Sequence, residues 1–227
     1  IKETLAEGVD HDVAKVTYGF AEALEEAGAI VEEISMPDLY LALPAYYLLA
    51  SAEASSNLAR YDGIRYGMPC PLDAKDWNEA FSRVRGEGFG PEVKRRVMMG
   101  SFVLSSGYYD AYYLKAVAAR TKIREDIIRA LKDYQFLISP TNPTTAPKLG
   151  ERTADPLSMY LLDLDTVPVN LSGIPALSIP FGRSSDGMPI GVQLMSSPLR
   201  DDWVIKAAEE LEEMGKVEMA SVVARLE

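Results

Sequence analysis

The sequence is poor in the residues that build metal cages and covalent scaffolds. It holds one cysteine, Cys70, and one histidine, His11, in 227 residues. A single thiol excludes a disulfide framework and any multi-cysteine metal site, and a single imidazole excludes a His-rich zinc or iron centre. Positive charge is also scarce: 23 Lys and Arg stand against 34 Asp and Glu, a net charge of −11. Nucleic-acid binders recruit phosphates with a cationic excess, so this chain is a poor candidate for direct RNA or DNA contact. No apolar run approaches the ~18 residues of a membrane span, and the opening IKETLAEG is neither basic nor apolar enough for a signal peptide. What is present, 48% apolar and 25% charged residues, fits an acidic α/β protein of a reducing, cytoplasmic compartment. The missing initiator Met points to a sequence that begins inside a longer chain.

Apolar residues at Val13, Val16, Phe20, Leu24 and Ala27 fall on one helical face that Gly28 closes. The β-branched run at 29–36 then reads as a strand, which would make half of a βαβ unit. Pro44 opens a helix reaching Ala59, and residues 60–76, broken by Gly67, Pro69 and Pro71, read as a loop. A short helix follows Asp76 and ends in GEGFG, and Pro91 starts another. Past Gly107 comes the longest helix, with Tyr112, Ala116, Ala119, Ile123, Ile127 and Leu131 on one stripe. Residues 136–139 read as a buried strand, and 140–156, punctuated by Pro140, Pro143, Pro147 and Pro156, as an irregular loop. A helix is expected over 157–164, a hairpin of strands over 176–181 and 190–195, and a last helix after Asp201 or Asp202. Alternating helices and strands predict an α/β layered architecture, and no linker divides residues 1–227, which read as a single, incomplete domain.

No recognisable catalytic engine is present: there is no G-x-S-x-G, no GxxxxGK[ST] and no S-x-x-K. Cys70, between two prolines, reads as a loop thiol, and His11 as a solvated side chain on an acidic helix. GEGFG has no preceding strand, which argues against a phosphate cradle. Polar residues on apolar segments are more informative. Arg95 and Arg96 share a helix with Val93, Val97 and Met98, so one guanidinium is expected to face inward. Asp163 sits among Leu161, Leu162, Leu164 and Val167, where a buried carboxylate costs several kcal/mol unless it meets a cation or N–H donors. Tyrosines at 46, 47, 61, 66, 108, 109, 112 and 113 suit core, interface or pocket walls. An Arg, an Asp and a Tyr in one cleft would read a free α-amino acid by its two charges and a hydroxyl contact. Spacing alone does not place the three together.

The blocks EASSNLARYDGIRYG (53–67), GFGPEVKRRVMMGSFVLSSGYYDAYYLKA (88–116), SPTNPTTAPKLGE (139–151) and PVNLSGIPALSIPFG (168–182) carry a resemblance. They resemble the A subunits of glutamyl-tRNA(Gln)/aspartyl-tRNA(Asn) amidotransferases, a branch of the amidase signature family, over essentially the whole chain and in roughly their C-terminal half. The N-x-x-G-x-P-x-x-S-x-P pattern at 170–180 belongs to the wider family; the first two blocks are more particular. The resemblance implies a mixed β-sheet layered by α-helices and a Ser–Ser–Lys amidase whose nucleophile half is not in this sequence, so that the isolated chain is inactive. It implies Tyr46 as a pocket tyrosine, Arg96 as the carboxylate-binding arginine and Asp163 as the ammonium-binding aspartate for glutamine. It also implies that ammonia passes to a B subunit holding ATP and Mg²⁺, that a C subunit completes a heterotrimer, and that tRNA is met only indirectly. No cofactor or metal is expected in this chain, and no membrane. Two rivals are another amidase-signature amide hydrolase, without need of an ammonium-binding Asp163, and a non-catalytic binding or scaffolding module.

Overall fold

The computed structural model describes residues 1–6, 8–150 and 159–213. They group into two compact units, Ile1–Leu43 with Arg120–Glu227, and Pro44–Ala119.

In the first unit, helix α1 (His11–Glu26) buries Val13, Thr17, Phe20 and Ala23, steps of three and four that put one stripe inward. Strand β1 (Phe136–Pro140) pairs antiparallel with β3 (Pro189–Ser196), and β3 pairs antiparallel with β2 (Ala176–Arg183), giving the order β1-β3-β2. The hairpin predicted between 181 and 190 is therefore present, and its second strand is the centre of the sheet. Alternate residues of β3 serve opposite faces. Val192 and Leu194 join Phe20, Ile179 and Leu211 in one buried cluster, so α1 and the helix Asp201–Glu213 cover that face. The rings of Phe20 and Phe181 meet edge to face at 5.0 Å. Each such buried side chain contributes about 1.5–3 kcal/mol relative to exposure. Gln193 looks to the other face, opposite Ser139 on β1 and Ser178 on β2.

The strand expected over 29–36 is not formed. The segment is extended and tied to the amino-terminal turn by Lys2 N donating to Ile34 O at 3.0 Å, by Met36 N and Ser35 Oγ donating to the Glu3 carboxylate, and by the Lys2–Glu33 ion pair. β-branched residues favour an extended backbone, but a strand needs a neighbour to complete its ladder, and among the described residues none lies beside Ile30, which is 89% exposed. The βαβ expectation falls with it: every described strand pairing is antiparallel.

Helix α2 (Ala42–Asn57), whose residues from Pro44 on belong to the second unit, starts two residues ahead of that proline and prolongs a 3₁₀ turn over Pro37–Leu41. Residues 61–76 form no regular element. Helix α3 (Trp77–Gly88) is capped by Asp76, whose carboxylate accepts from Glu79 N at 2.9 Å, and it runs through two glycines before stopping. Helix α4 (Pro91–Val103) has proline in its first turn, where no N–H is needed. Gly107, at φ 86°, turns the chain into a π-helical turn over Tyr109–Tyr113. That turn feeds α5 (Leu114–Asp133), the longest described helix, which passes into the first unit at Arg120. Back in the first unit lie helices α6 (Val167–Ser172) and α7 (Asp201–Glu213), and Gly173 ends α6 in the left-handed conformation at φ 62°. Of the helix expected over 157–164, residues 157 and 158 lie outside the described residues, 159–160 are helical, and the chain then tightens to a 3₁₀ turn over Leu161–Asp163. Part of the expected loop, 151–156, also lies outside them.

Candidate functional site

Helices α2 and α4 touch backbone to backbone. A Cβ at Gly100 would stand 1.9 Å from Ser51 O, so only glycine permits this approach. One turn further along α2, Ser55 Oγ lies 2.9 Å from Ser101 Oγ. Toward the other end of the pair, the guanidinium of Arg96 sits over the Tyr47 ring at 5.6 Å, and the Tyr46 ring meets that of Tyr47 edge-on at 5.1 Å. The expectation that one of two adjacent arginines turns inward holds for Arg96, with 29% of its side chain exposed against 46% for Arg95.

Glu92, in the first turn of α4, orders both arginines. It accepts from Arg96 Nε at 2.9 Å and also pairs with Arg95. A carboxylate one turn ahead of an arginine, at the positive end of a helix, is favoured on both counts. Burial is the largest single influence on Arg96 and acts to lower its pKa. The hydrogen bond and charge of Glu92, with the phenols of Tyr46 and Tyr47, outweigh it and leave the guanidinium above its ordinary value. The result is a permanent cation whose plane is fixed by a ring and a carboxylate, which suits bidentate contact with an incoming carboxylate. Glu92 was not singled out in the sequence, although its spacing to both arginines is a readable signal.

Asp163 belongs to the first unit, where it ends the turn Leu161–Asp163 half-buried. Asn142 Nδ2 donates to Leu162 O at 2.8 Å and fastens this turn to the loop after β1. On the far side, Thr166 N and Oγ1 each lie 3.2 Å from Asp163 O. Beside the turn is a cavity of about 470 Å³ whose wall includes Thr141, Asn142, Thr144, Leu162, Ser178 and Gly191. The Thr141 and Ser178 hydroxyls are 2.7 Å apart. A Cβ at Gly191 would stand 2.7 Å from Ser178 Oγ and 3.0 Å from Thr141 Oγ1, so the glycine makes room for this pair. The hydroxyl lining was not singled out in the sequence, because Thr141 and Ser178 are 37 residues apart and only the sheet register joins them.

Two residues after Asp163, Asp165 is 2% exposed, and neither of its side-chain oxygens has a hydrogen-bond partner among the described residues. Burial pushes its pKa up to about 7. Its main-chain carbonyl accepts from Gln193 Nε2 at 3.1 Å, and the same nitrogen reaches Ser139 Oγ at 3.2 Å. The structure thus brings Tyr46 and Arg96 together within one unit and sets Asp163 beside a hydroxyl-lined cavity in the other. Cys70 is half-buried in the loop after α2, its thiol directed at Pro71 O at 3.9 Å. His11 is exposed beside Asp12. Among the described residues no group of three or more His, Cys, Asp or Glu could hold a metal ion, and no helix is long and apolar enough to cross a membrane.

Comparison with known proteins gives these features a context. The family model described as Amidase matches residues 1–205. The chain is 52% identical to the A subunit of glutamyl-tRNA(Gln) amidotransferase from Cyanothece sp. over 213 residues, covering 94% of this chain and 44% of that protein. It is 51% identical to the corresponding protein of Moorella thermoacetica over 93% of this chain and 43% of that one. The crystal structure of the A subunit from Thermotoga maritima superposes with a TM-score of 0.69 at 36% identity, over 93% of this chain and 41% of that structure. The chain therefore spans less than half the length of the relatives it matches.

Proposed function

The chain belongs to the amidase family, and on that premise we propose that it is the glutamine-recognition half of the glutamine-hydrolysing component of an amidotransferase. The observation that carries this reading is the 52% identity to an amidotransferase A subunit over 94% of the chain. The locked guanidinium of Arg96 supports it, because an α-carboxylate is the feature that sets glutamine apart from simple amides.

In this reading Arg96 binds the α-carboxylate of glutamine, Asp163 binds its α-ammonium, and Tyr46 places the side chain by its hydroxyl. Glu92 and Tyr47 hold Arg96 in plane before the ligand arrives, so less ordering entropy is lost on binding. The nucleophile, a Ser–Ser–Lys set by resemblance, comes from the half of the protein outside this chain. Hydrolysis takes up one water and yields glutamate and ammonia, and Asp163 and Arg96 hold the substrate through both acylation and deacylation. Ammonia then serves a B subunit that uses ATP and Mg²⁺ to amidate Glu or Asp on a misacylated tRNA in the cytoplasm. A C subunit completes the heterotrimer, and the acidic balance of this chain fits a tRNA contact made elsewhere.

Ligand-induced stabilisation tests the recognition step. Glutamine at 100 times its Kd should stabilise the full-length polypeptide by about 2.7 kcal/mol, read as a rise in melting temperature. A simple aryl amide at the same concentration should leave it unchanged. Equal shifts with both, or none with glutamine, would point to another amide hydrolase or to a non-catalytic module.

A further inference from the structure

The first unit holds a second, larger cavity, about 850 Å³, that the glutamine reading does not use. Arg120, Arg124, Arg129 and Lys132 line it along α5, and the end of α6 with Gly173 and Pro198 closes it. Glu125 is its one acidic lining residue, in a chain whose net charge is −11. Arg129 is matched by Asp126 at 2.9 Å. Arg120, Arg124 and Lys132 form no ion pair among the described residues. Arg120 and Arg124 are one helical turn apart and share a face. Cations gathered in this way repel one another, and that repulsion is relieved when an anion binds.

The backbone at the end of α6 shapes the same cavity. Gly173 is left-handed, and a Cβ there would stand 3.4 Å from Arg124 Nη1, so the bare backbone leaves the guanidinium room against the cavity wall. Ser172 beside it is fully buried, so the wall behind the cations is closed to solvent.

We propose that this cavity is a binding site for a small ligand carrying two or more phosphate groups. Arg120 and Arg124 take one phosphate in fork geometry. Lys132, about 18 Å along the helix from Arg120 at 1.5 Å per residue, meets the far end of the ligand. The volume is that of a site for a ligand of drug or cofactor size.

Calorimetric titration of the full-length polypeptide with inorganic tripolyphosphate, at constant ionic strength, tests this. The expected result is saturable one-to-one binding that an Arg120→Gln/Arg124→Gln double variant weakens at least tenfold. The charge-matched Lys15→Gln/Lys206→Gln variant should weaken it less than threefold. Melting temperatures of all variants without ligand establish that they fold, and glutamine hydrolysis is expected to be unchanged by the arginine pair, so the two sites fail or stand separately. Unsaturable binding, or equal binding by both double variants, overturns the proposal. So does an Arg124-dependent response to a poly-glutamate peptide with none to tripolyphosphate, which would make the cavity a seat for an acidic protein segment.

Discussion

Asp165 is the residue whose environment and chemistry are most at odds. Its carboxyl group is buried beside the candidate ligand turn with no donor among the described residues, and burial lifts its pKa from an ordinary 3.8 to about 7. A raised acid favours folding while both states hold the proton, below about pH 4. That advantage is lost as the unfolded chain ionises, and the loss ends when the folded group also ionises near pH 7. Between pH 5 and pH 8 the folded state should therefore lose about 3 kcal/mol, from roughly two pH units at ~1.4 kcal/mol each. Urea midpoints at the two pH values should show this loss, and Asp165→Asn should remove most of it. An equal loss in the variant would mean that Asp165 has found a partner.

At the scale of elements, the α2–α4 pair carries Tyr46 and Arg96, and one glycine sets how close the helices come. Gly100→Ala would put a methyl carbon 1.9 Å from Ser51 O, an overlap that rotamer changes do not relieve. The helices must part, at a cost of at least ~2 kcal/mol in chemical denaturation. Arg96 would move off the Tyr47 ring, so glutamine-dependent stabilisation should fall along with global stability. Wild-type stability in Gly100→Ala would show that the two helices are not in backbone contact. The same pair shows what the sequence could and could not disclose. Pro91, Gly107 and the steps of three and four along α5 announced their elements, because helices are set by local periodicity. The run at 29–36 misled, since its β-branched residues report only a local preference and the missing partner strand is a non-local fact. In the site, the apolar helix pointed to one of Arg95 and Arg96 turning inward, and the resemblance chose Arg96; the leucines pointed to a buried Asp163, but that residue is half-buried and the buried carboxylate is Asp165. The Thr141–Ser178 pair was not legible, because hydroxyls have no periodic signature and the register of three strands brings them together.

At the scale of the molecule, apolar surface is left open. In the second unit Met98 is 74% exposed, and the packed rings of Phe102, Tyr108 and Tyr112 are each more than 40% exposed. In the first unit Ile30 lies bare on a segment with no strand beside it among the described residues, and β1 and β2 both end the described sheet. Unpaired edges and aromatic patches of this kind attract other chains. The 227 residues produced alone should sediment as a concentration-dependent mixture of oligomers. A single monomeric boundary across a hundredfold range of concentration would contradict that.

In the proposed function, recognition of glutamine by its charged end rests on Arg96. The most direct measurement is ammonia release by the full-length polypeptide from glutamine and from butyramide, wild type against Arg96→Ala. Leaving a desolvated carboxylate unpaired costs about 2–5 kcal/mol. The kcat/KM for glutamine should therefore fall by at least about 30-fold, with butyramide changed less than about threefold. Equal losses on the two amides, or no loss on glutamine, would contradict a carboxylate-reading role for Arg96.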